Sequence, residues 1–265
     1  MKPYVHQMKY IAEIGYGFGY DCGIEDYKVV AVINSEEYLN VSYVGVYTLG
    51  SDSWKTISSI PYKLAKGYNN VRFPVFPGVF LNGALHWLAQ SFSGNGLQVL
   101  LSFDMKDEIF AEIHQPENLD KFDYKFVGLL GGCLCMLCSV GFEVWVMQHY
   151  GVRESWTKLL EMDQLMTVDI PSFHYLRRTV SLRNGEILLE IQLDAGDKMD
   201  GGEDTAIIVY DPKWERTRIV KILLKRIENF SPGYILRKLY EIDSYVESLV
   251  SVNPGSYTGA MPNKK

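Results

Sequence analysis

A short phrase recurs three times along this chain, and the repetition restricts the architectures that the chain can form. Each copy places asparagine-glycine or glycine-glycine in a stretch flanked by apolar residues, and the copies are residues 81–85, 130–134 and 183–187. Their glycines at 83, 132 and 185 lie 49 and 53 residues apart. Because both positions of a tight hairpin turn need φ > 0, these dipeptides indicate β-hairpins. The chain is therefore predicted to be an array of hairpin units.

A second phrase, in which two bulky residues flank a polar turn, also recurs. Its four copies are the pairs Tyr47 and Trp54, Phe103 and Phe110, Trp145 and Trp156, and Tyr210 and Thr217. In each copy the first residue lies on an apolar strand and the second opens another strand. Three of the intervals are seven residues long, and the Trp pair fits the same pattern with four inserted residues. Two hairpins in each unit make four strands.

Four short antiparallel strands every ~50 residues is the spacing of a kelch-like propeller blade, which buries its faces against its neighbours. The alternative is a meandering β-sandwich with a comparable number of strands. A sandwich does not need phrases that recur in the same order, so we expect an all-β, kelch-like β-propeller built of repeated four-stranded antiparallel units. With 265 residues, 47% of them hydrophobic, the chain can bury a substantial core as one domain.

Charge and hydropathy indicate which partners the chain takes. A net charge of −6 argues against a nucleic-acid-binding surface. No stretch approaches the ~20 apolar residues of a membrane span, and the first residues lack the apolar core of a signal peptide. We therefore expect protein partners, no nucleic acid and no membrane, in the cytoplasm or the nucleus.

Four cysteines lie at positions 22, 133, 135 and 138, and the last three form a dense run. A zinc site would need paired Cys or His ligands from a second place, and no obvious second pair is present. On a strand, Cys133 and Cys135 share a face, where a free thiol behaves as a small buried hydrophobe. Reduced core thiols are therefore predicted, with no metal site.

Neither the histidines nor the carboxylates form a recognisable catalytic arrangement. The histidines are scattered along the chain: His6, His86, His114, His149 and His174. His86 is predicted to be a strand residue that is hydrogen-bonded or faces solvent. The carboxylates that cluster at predicted turns, where they serve local hydrogen bonding and solubility, are Asp104, Asp107, Glu108, Asp204 and Asp211. We predict no catalytic and no cofactor-binding residue.

Three unusual segments have structural interpretations. Residues 15–21 contain three glycines but lack the lysine and the following helix of a phosphate-binding loop, and residues 26–33 instead form a β-branched strand. The glycines are therefore predicted to let a strand turn or approach a neighbour closely.

The basic run 216–221 alternates charged and apolar residues, which favours a half-exposed strand over an anion-binding surface. The acidic run 194–204 is predicted to be a mobile loop between two strands.

Taken in order, these motifs resemble the F-box-associated domain of plant F-box proteins, which includes the type-1 domains of F-box/kelch-repeat proteins. The segments that carry the resemblance are residues 17–21, 26–30, 46–54, 80–89, 102–110, 130–135, 144–158 and 245–250. The resemblance implies a substrate receptor of SCF-type cullin-RING E3 ubiquitin ligases. In such a receptor the associated domain captures the target protein for ubiquitination, while an N-terminal F-box docks on a Skp-type adaptor.

The resemblance also implies a division of the chain. We expect an N-terminal extension at residues 1–13, the F-box-associated β-propeller-like domain at 14–252 and a disordered tail at 253–265. Only 16 residues precede the Gly-Phe-Gly-Tyr-Asp phrase at 17–21, so adaptor docking is expected only where an F-box is supplied. A strand at 245–250 could pair with the first unit as a closing strand; otherwise the propeller is incomplete and exposes an unpaired edge.

Two other functions are compatible with the same scaffold. One is a truncated regulatory decoy, which binds targets without recruiting a ligase. The other is a β-propeller hydrolase, which would require two acids at a fixed separation in a central pocket. A pocket with convergent carboxylates would favour the hydrolase, and a binding surface without adaptor affinity would favour the decoy.

Overall fold

The structure, a computed structural model, describes residues 11–35, 41–64, 75–92, 97–119, 122, 124–139, 143–161, 173–182, 184–193 and 205–223. These residues form strands joined by turns, and a short 3-10 turn lies at Arg153–Ser155. The expected all-β fold is confirmed.

The strands in chain order are β1 (Ile11–Asp21), β2 (Asp26–Ser35), β3 (Ser42–Thr48), β4 (Ser53–Ile60), β5 (Tyr62–Leu64), β6 (Val75–Pro77), β7 (Val79–Leu81), β8 (Ala84–Ser91), β9 (Gln98–Asp104), β10 (Phe110–Ile113), β11 (Tyr124–Leu130), β12 (Cys133–Ser139), β13 (Glu143–Met147), β14 (Trp156–Glu161), β15 (Phe173–Ser181), β16 (Ile187–Leu193), β17 (Thr205–Asp211) and β18 (Arg216–Leu223).

The described strands form four sheets in chain order. The first sheet has the order β4-β3-β2-β1-β6, and β6 is parallel to β1. In the second sheet, β10-β9-β8 is completed by β5 and β7, which pair with opposite ends of β8. The third sheet is β11-β12-β13-β14 and the fourth is β15-β16-β17-β18. The repeated antiparallel four-stranded unit is confirmed, and the three-residue strands β5, β6 and β7 modify it in the first two sheets.

The recurring glycine phrase forms the predicted hairpin turns. Asn82 and Gly83 join β7 to β8 with φ values of 50° and 76°, and Gly131 and Gly132 join β11 to β12 with 60° and 76°. A Cβ at Gly83 would meet nothing within 4 Å, so this position requires glycine for its backbone conformation and not for space. The turn between β15 and β16 likewise contains Gly185, with φ 86°.

The second phrase brings bulky residues together across strands. Tyr47 lies opposite Trp54, Phe103 opposite Phe110, and Tyr210 opposite Thr217. Trp156 opens β14 as expected, but it lies opposite Met147, while Trp145 lies opposite Lys158. A register shift between Val144 and Trp145 accompanies this difference.

Among the described residues, the buried hydrophobic side chains form three clusters, and each cluster joins two consecutive sheets. Val30 and Val46 of the first sheet pack with Trp87 of the second. Further along, Leu100 of the second sheet shares a cluster with Met136 of the third, and Leu137 of the third shares one with Leu189 of the fourth. Sheets that bury their faces against the next sheet in the chain have the packing expected of propeller blades.

The glycine-rich segment lies in β1, where its glycines allow the first two sheets to approach closely. A Cβ at Gly17 would lie 2.5 Å from a methyl group of Leu85 and 2.8 Å from the ring of Trp87. A Cβ at Gly19 would collide with the ring of Phe80. The interpretation of these glycines as a close approach between neighbours, and not as a phosphate-binding loop, is confirmed.

Several expectations fall on residues outside the described ranges. They concern the acidic run 194–204, the closing strand at 245–250 and the tail at 253–265. The basic run 216–221 lies in β18, as predicted. Within the part of the chain that the structure describes, there is no helix with the length and apolar character needed to cross a membrane.

Candidate interaction surface

Three turns of the first two sheets lie side by side and form a surface that we call the turn rim. They are the β1–β2 turn (22–25), the β3–β4 turn (49–52) and the β9–β10 turn (105–109). The Asp26 carboxylate joins the first two, because its Oδ2 accepts a hydrogen bond of 2.7 Å from the Gly50 amide. Lys28 joins the first sheet to the third turn, since its Nζ donates to the Met105 carbonyl at 2.9 Å.

A buried group of charged side chains, the Lys28 ion cluster, lies beneath these turns. It consists of Asp21, Lys28, Lys55 and Glu108. The Lys28 Nζ lies 2.5 Å from Asp21 Oδ2 and 2.7 Å from Glu108 Oε1, and the side chains of Lys28 and Asp21 are only 5% and 2% exposed. Lys55, which is 57% exposed, contributes an ammonium 2.6 Å from the second oxygen of Glu108. Both sheets therefore supply charges to one cluster.

The charged forms prevail in the Lys28 ion cluster despite its burial. Desolvation opposes ionisation of Asp21, but hydrogen bonds from Lys28 and the Gly23 amide outweigh it and lower the carboxyl pKa. In the same way, burial alone would raise the pKa of Glu108, but hydrogen bonds from Lys28 and Lys55 outweigh this effect and lower the pKa. The two carboxylates raise the pKa of Lys28, although burial alone would lower it. Removal of one partner would leave an uncompensated buried charge, so the cluster fixes the turns relative to each other.

Large apolar side chains are exposed at the tips of these turns. Ile24 is 55% exposed, Leu49 is 38% exposed and Ile109 is 62% exposed, one in each turn of the rim. Exposed apolar side chains on turns that a scaffold holds in place are common at protein-interaction sites. The turn rim therefore combines fixed backbone geometry with apolar residues available to a partner.

A second polar contact joins the second sheet to the third. His86 of β8 is fully buried; its Nδ1 lies 2.9 Å from the Val79 carbonyl and its Nε2 lies 2.8 Å from the Tyr150 hydroxyl. A carbonyl oxygen only accepts, so Nδ1 carries the proton and Tyr150 donates to Nε2. Burial lowers the pKa of His86 and favours this neutral form. His86 is hydrogen-bonded, in agreement with one of its two predicted environments.

The described side chains of the other histidines are exposed. His114 and His149 are exposed, His6 lies outside the described residues, and the side chain of His174 is not described. Within the described ranges, no group of three or more His, Cys, Asp or Glu side chains could hold a metal ion.

Cys133, Cys135 and Cys138 lie on β12, whereas Cys22 is exposed in the β1–β2 turn. Cys135 packs in the cluster between the third and fourth sheets and Cys133 lies against it, whereas Cys138 belongs to the cluster on the opposite side of β12. Burial raises the pKa of the Cys135 thiol to about 12, so it remains protonated at neutral pH.

The predicted turn carboxylates perform two different roles. Asp104 accepts hydrogen bonds from the amides of Lys106 and Asp107, and Asp211 accepts one from the Lys213 amide, so these residues make the expected local contacts. Glu108 instead reaches the other sheet. Asp204 lies outside the described residues.

Sequence reasoning missed the ion cluster, although one signal was present. Lys28 alternates with Val30 and Val32 on the face of β2 that packs against the second sheet. A charged residue in the register of core valines needs a buried partner of opposite charge, and that need could have indicated an ion pair. The identity of the partner could not be obtained in this way.

Comparison with known proteins identifies the relatives of this chain. The F-box protein CPR1 of Arabidopsis thaliana is 33% identical over 194 residues, which cover 66% of this chain and 46% of that protein. The F-box/kelch-repeat protein At3g23880 of the same plant is 31% identical over 156 residues, covering 57% of this chain and 41% of that protein. The chain spans about half the length of the relatives it matches.

Residues 2–252 match the family model described as the F-box associated beta propeller domain. The match includes all the described strands and the whole turn rim. The observed sheets, each packed against the next, agree with a propeller of this kind. The chain therefore belongs to the F-box associated beta propeller domain family.

Proposed function

We propose that this domain captures a target protein at the turn rim, as the substrate-receptor part of an SCF-type cullin-RING E3 ubiquitin ligase. The supporting observation is the exposure of Ile24, Leu49 and Ile109 on turns that the buried Lys28 ion cluster holds together. Family membership supports the ligase context, since the relatives are named F-box proteins. The domain itself performs binding and not catalysis.

In this proposal, ligase recruitment belongs to a different element. A Skp-type adaptor docks on an F-box, which is supplied by a longer polypeptide or by another chain, and the captured target is then ubiquitinated. The net charge of −6 supports protein partners over nucleic acid. We place this activity in the cytoplasm or the nucleus.

Target capture is tested with the purified chain immobilised and incubated with plant extract, followed by mass spectrometry of the bound proteins. The turn-rim variant carries Ile24→Ser with Ile109→Ser. Its matched control is Leu97→Ser, because Leu97 is also highly exposed but precedes β9 at the opposite end of the second sheet. We expect recovery of the specific target to fall about tenfold or more in the double variant and to be unchanged in the control.

A second experiment tests whether the captured protein is ubiquitinated by the ligase. The F-box of CPR1 is fused in front of this chain, and the fusion is combined with a Skp-type adaptor, cullin, RING subunit and ubiquitin-charged E2. The fusion should transfer ubiquitin to the captured protein, and the double variant should not. Equal capture by wild type and double variant would refute the turn rim as the site, and capture without ubiquitination by the fusion would refute the receptor role.

A further inference from the structure

The charges around the turn rim are unequal in number. Within the described residues, the carboxylates of these turns and the adjoining strand ends that form no ion pair are Glu25, Asp26, Asp52, Asp104 and Asp107. In the same segments, Lys106 is the one ammonium without an ion pair. The Lys28 ion cluster beneath them has two carboxylates and two ammonium groups and is neutral. Five carboxylates against one ammonium therefore leave the rim with an excess of four negative charges.

The five carboxylates differ in what they bind. Asp26 and Asp104 accept hydrogen bonds from backbone amides, and Asp52 accepts one from a tyrosine hydroxyl, so these three hold the turns in place. Glu25 and Asp107 are exposed, and neither side chain accepts a hydrogen bond from a residue that the structure describes. These two carboxylates are available to a cation of another molecule.

Each of these two carboxylates lies beside an apolar tip of the rim. Glu25 follows Ile24 in the β1–β2 turn, and Asp107 lies two residues before Ile109 in the β9–β10 turn. The two turns touch, because the aliphatic part of Lys106 packs against the glycine of the β1–β2 turn. Apolar and acidic groups are therefore combined in one small surface.

The turn rim lies at one end of the first two sheets. The described strands that border the gaps at 36–40, 65–74 and 93–96 stop in the half of these sheets that lies away from the rim, as the strand register shows. Propeller blades pack face to face, so a sheet beside the first one leaves the ends of its strands uncovered. The exposure of the rim is thus a property of strand ends and not of a sheet face.

Two phenols near the rim respond to its carboxylates. Partial burial and then the charge of Glu25 raise the pKa of Tyr20. Partial burial and then the charge of Asp104 raise the pKa of Tyr150, which lies on the third sheet next to the β9–β10 turn. Negative charge placed along this surface disfavours further negative charge and favours a cation.

Exposed apolar groups and an excess of negative charge together define the chemistry of a partner. Partners meet with complementary potentials, which speeds their encounter and excludes wrong partners. We infer that the turn rim binds a segment of the target protein that carries apolar residues among an excess of lysine or arginine. Its apolar side chains contact Ile24, Leu49 and Ile109, and its cations pair with Glu25 and Asp107. This inference rests on the proposed receptor function and specifies the chemistry of the target.

The same charges disfavour two other occupants of the rim. A second copy of this surface would bring like charges together, and like charges placed opposite each other weaken an interface. An acidic or phosphorylated segment would likewise add negative charge to a negative surface. A basic segment is the occupant that the electrostatics of the rim favour.

Three labelled peptides with blocked ends test the chemistry. The basic apolar peptide is Lys-Leu-Gly-Lys-Leu-Gly-Lys-Leu, the acidic peptide has glutamate in place of every lysine, and the polar peptide has serine in place of every leucine. Binding to the purified chain is measured by fluorescence anisotropy at low salt and at rising salt. We expect the acidic and polar peptides each to bind about tenfold or more weakly than the basic apolar peptide, whose affinity should fall with salt.

A reversal of charge tests the location. Glu25→Lys combined with Asp107→Lys should weaken binding of the basic apolar peptide about tenfold and strengthen binding of the acidic peptide. The matched control is Glu154→Lys combined with Glu215→Lys, which changes the net charge equally in the corresponding turns of the third and fourth sheets. Glu25 and Glu215 also share positive φ values, 53° and 47°, so backbone strain is matched. The control should leave both affinities unchanged.

A neutral pair keeps the test decisive should the lysine variant fail to fold. Glu25→Gln combined with Asp107→Asn removes the two charges at nearly constant size, and it should weaken binding of the basic apolar peptide several-fold. Its effect on the acidic peptide should have the opposite sign.

Four outcomes would overturn the inference. They are no binding of the basic apolar peptide, equal binding of the acidic peptide, equal losses in the rim and control variants, and self-association of the chain that Ile24→Ser with Ile109→Ser abolishes. The last outcome would assign the rim to a second copy. If the peptides fail while target capture still depends on Ile24 and Ile109, this inference fails and the proposed function stands. Failure of both experiments would refute the two together.

Discussion

The two faces of the first sheet are built from alternate residues of the same strands, yet they carry opposite chemistry. The inner face has Gly17, Gly19 and Lys28, and it lies against the second sheet. The outer face has Phe18 and Tyr20, which are exposed. On the inner face the large side chains belong to the second sheet, and the glycines of the first sheet leave space for them. The comparison teaches that small and large residues alternate in β1 because the inner positions must leave space for the side chains of the second sheet.

The largest expected effect is on the inner face, where Lys28→Met would leave the buried Asp21 carboxylate without an ammonium and Glu108 with only that of Lys55. We expect the free energy of unfolding to fall by about 3–5 kcal/mol, as when one partner of a buried ion pair is removed. Urea denaturation followed by tryptophan fluorescence measures this loss. The control is Lys55→Met, whose ammonium is largely exposed, with an expected loss of about 0–1 kcal/mol. Similar losses in the two variants would contradict a cluster centred on Lys28.

The next largest effect should follow from a side chain added to the inner face of β1. Gly17→Val would drive a branched side chain against Leu85 and Trp87 and should lower the free energy of unfolding by about 2–3 kcal/mol, as overpacking of a core does. The matched change on the adjacent outer position is Phe18→Val, for which we expect about 1 kcal/mol or less. Denaturation midpoints of the two variants give the comparison, and equal shifts would show that the two faces are equally packed.

Lowering the pH should separate the contribution of His86 to folding stability from the contributions of Asp21 and Glu108. The pKa of His86 is lowered in the folded state, so its contribution to stability is present above its ordinary pKa of about 6.5 and is lost as the pH falls below it. The lowered pKa values of Asp21 and Glu108 act with the same sign at lower pH, because their stabilisation is lost only as the carboxylates become protonated.

We therefore expect the free energy of unfolding to decrease first through His86 and then through the carboxylates as the pH is lowered. The slope due to His86 cannot exceed about 1.4 kcal/mol per pH unit. His86→Asn, which can still donate to the Val79 carbonyl but does not titrate, should remove the first part of the decrease. Denaturation at a series of pH values between neutrality and pH 4 shows whether the two parts of the decrease separate. An unchanged profile in the variant would exclude His86 as the source of the first part.

The smallest effect on stability is expected at the turn tips. Ile24→Ser combined with Ile109→Ser removes exposed groups and should change the free energy of unfolding by about 0.5 kcal/mol or less, although it should lower target capture about tenfold or more. The same denaturation assay checks this value. A loss as large as that of Gly17→Val would mean that the tips are structural and would remove them as a candidate interaction surface.

Local requirements explain which parts of this fold the sequence could predict. A turn such as Asn82-Gly83 needs positive φ at both positions, and that need is visible in the dipeptide itself. The repeated phrases likewise predicted four-stranded units. The glycines at positions 17 and 19 predicted either a turn in the strand or a close approach to a neighbour, and the structure shows the close approach.

Contacts between sheets could not be predicted in the same way. Lys28 and Glu108 are 80 residues apart in the chain, and His86 and Tyr150 are 64 apart. Each pair can form only because two consecutive sheets pack at one particular rotation and offset relative to each other. No local sequence pattern encodes that rotation or that offset. The same limit applies to β6, which pairs with β1 in parallel after a long connection.

The Lys28 ion cluster also has a consequence for protein engineering. Asp21, Lys28 and Glu108 hold the turns from beneath, whereas positions 24, 49 and 109 lie at their tips. A display library that randomises those three positions and retains the charged residues would sample new specificities on an unchanged support. Affinity for an arbitrary protein could then be selected without rebuilding the domain, and the selected binder could be joined to an F-box to direct ubiquitination to a chosen substrate.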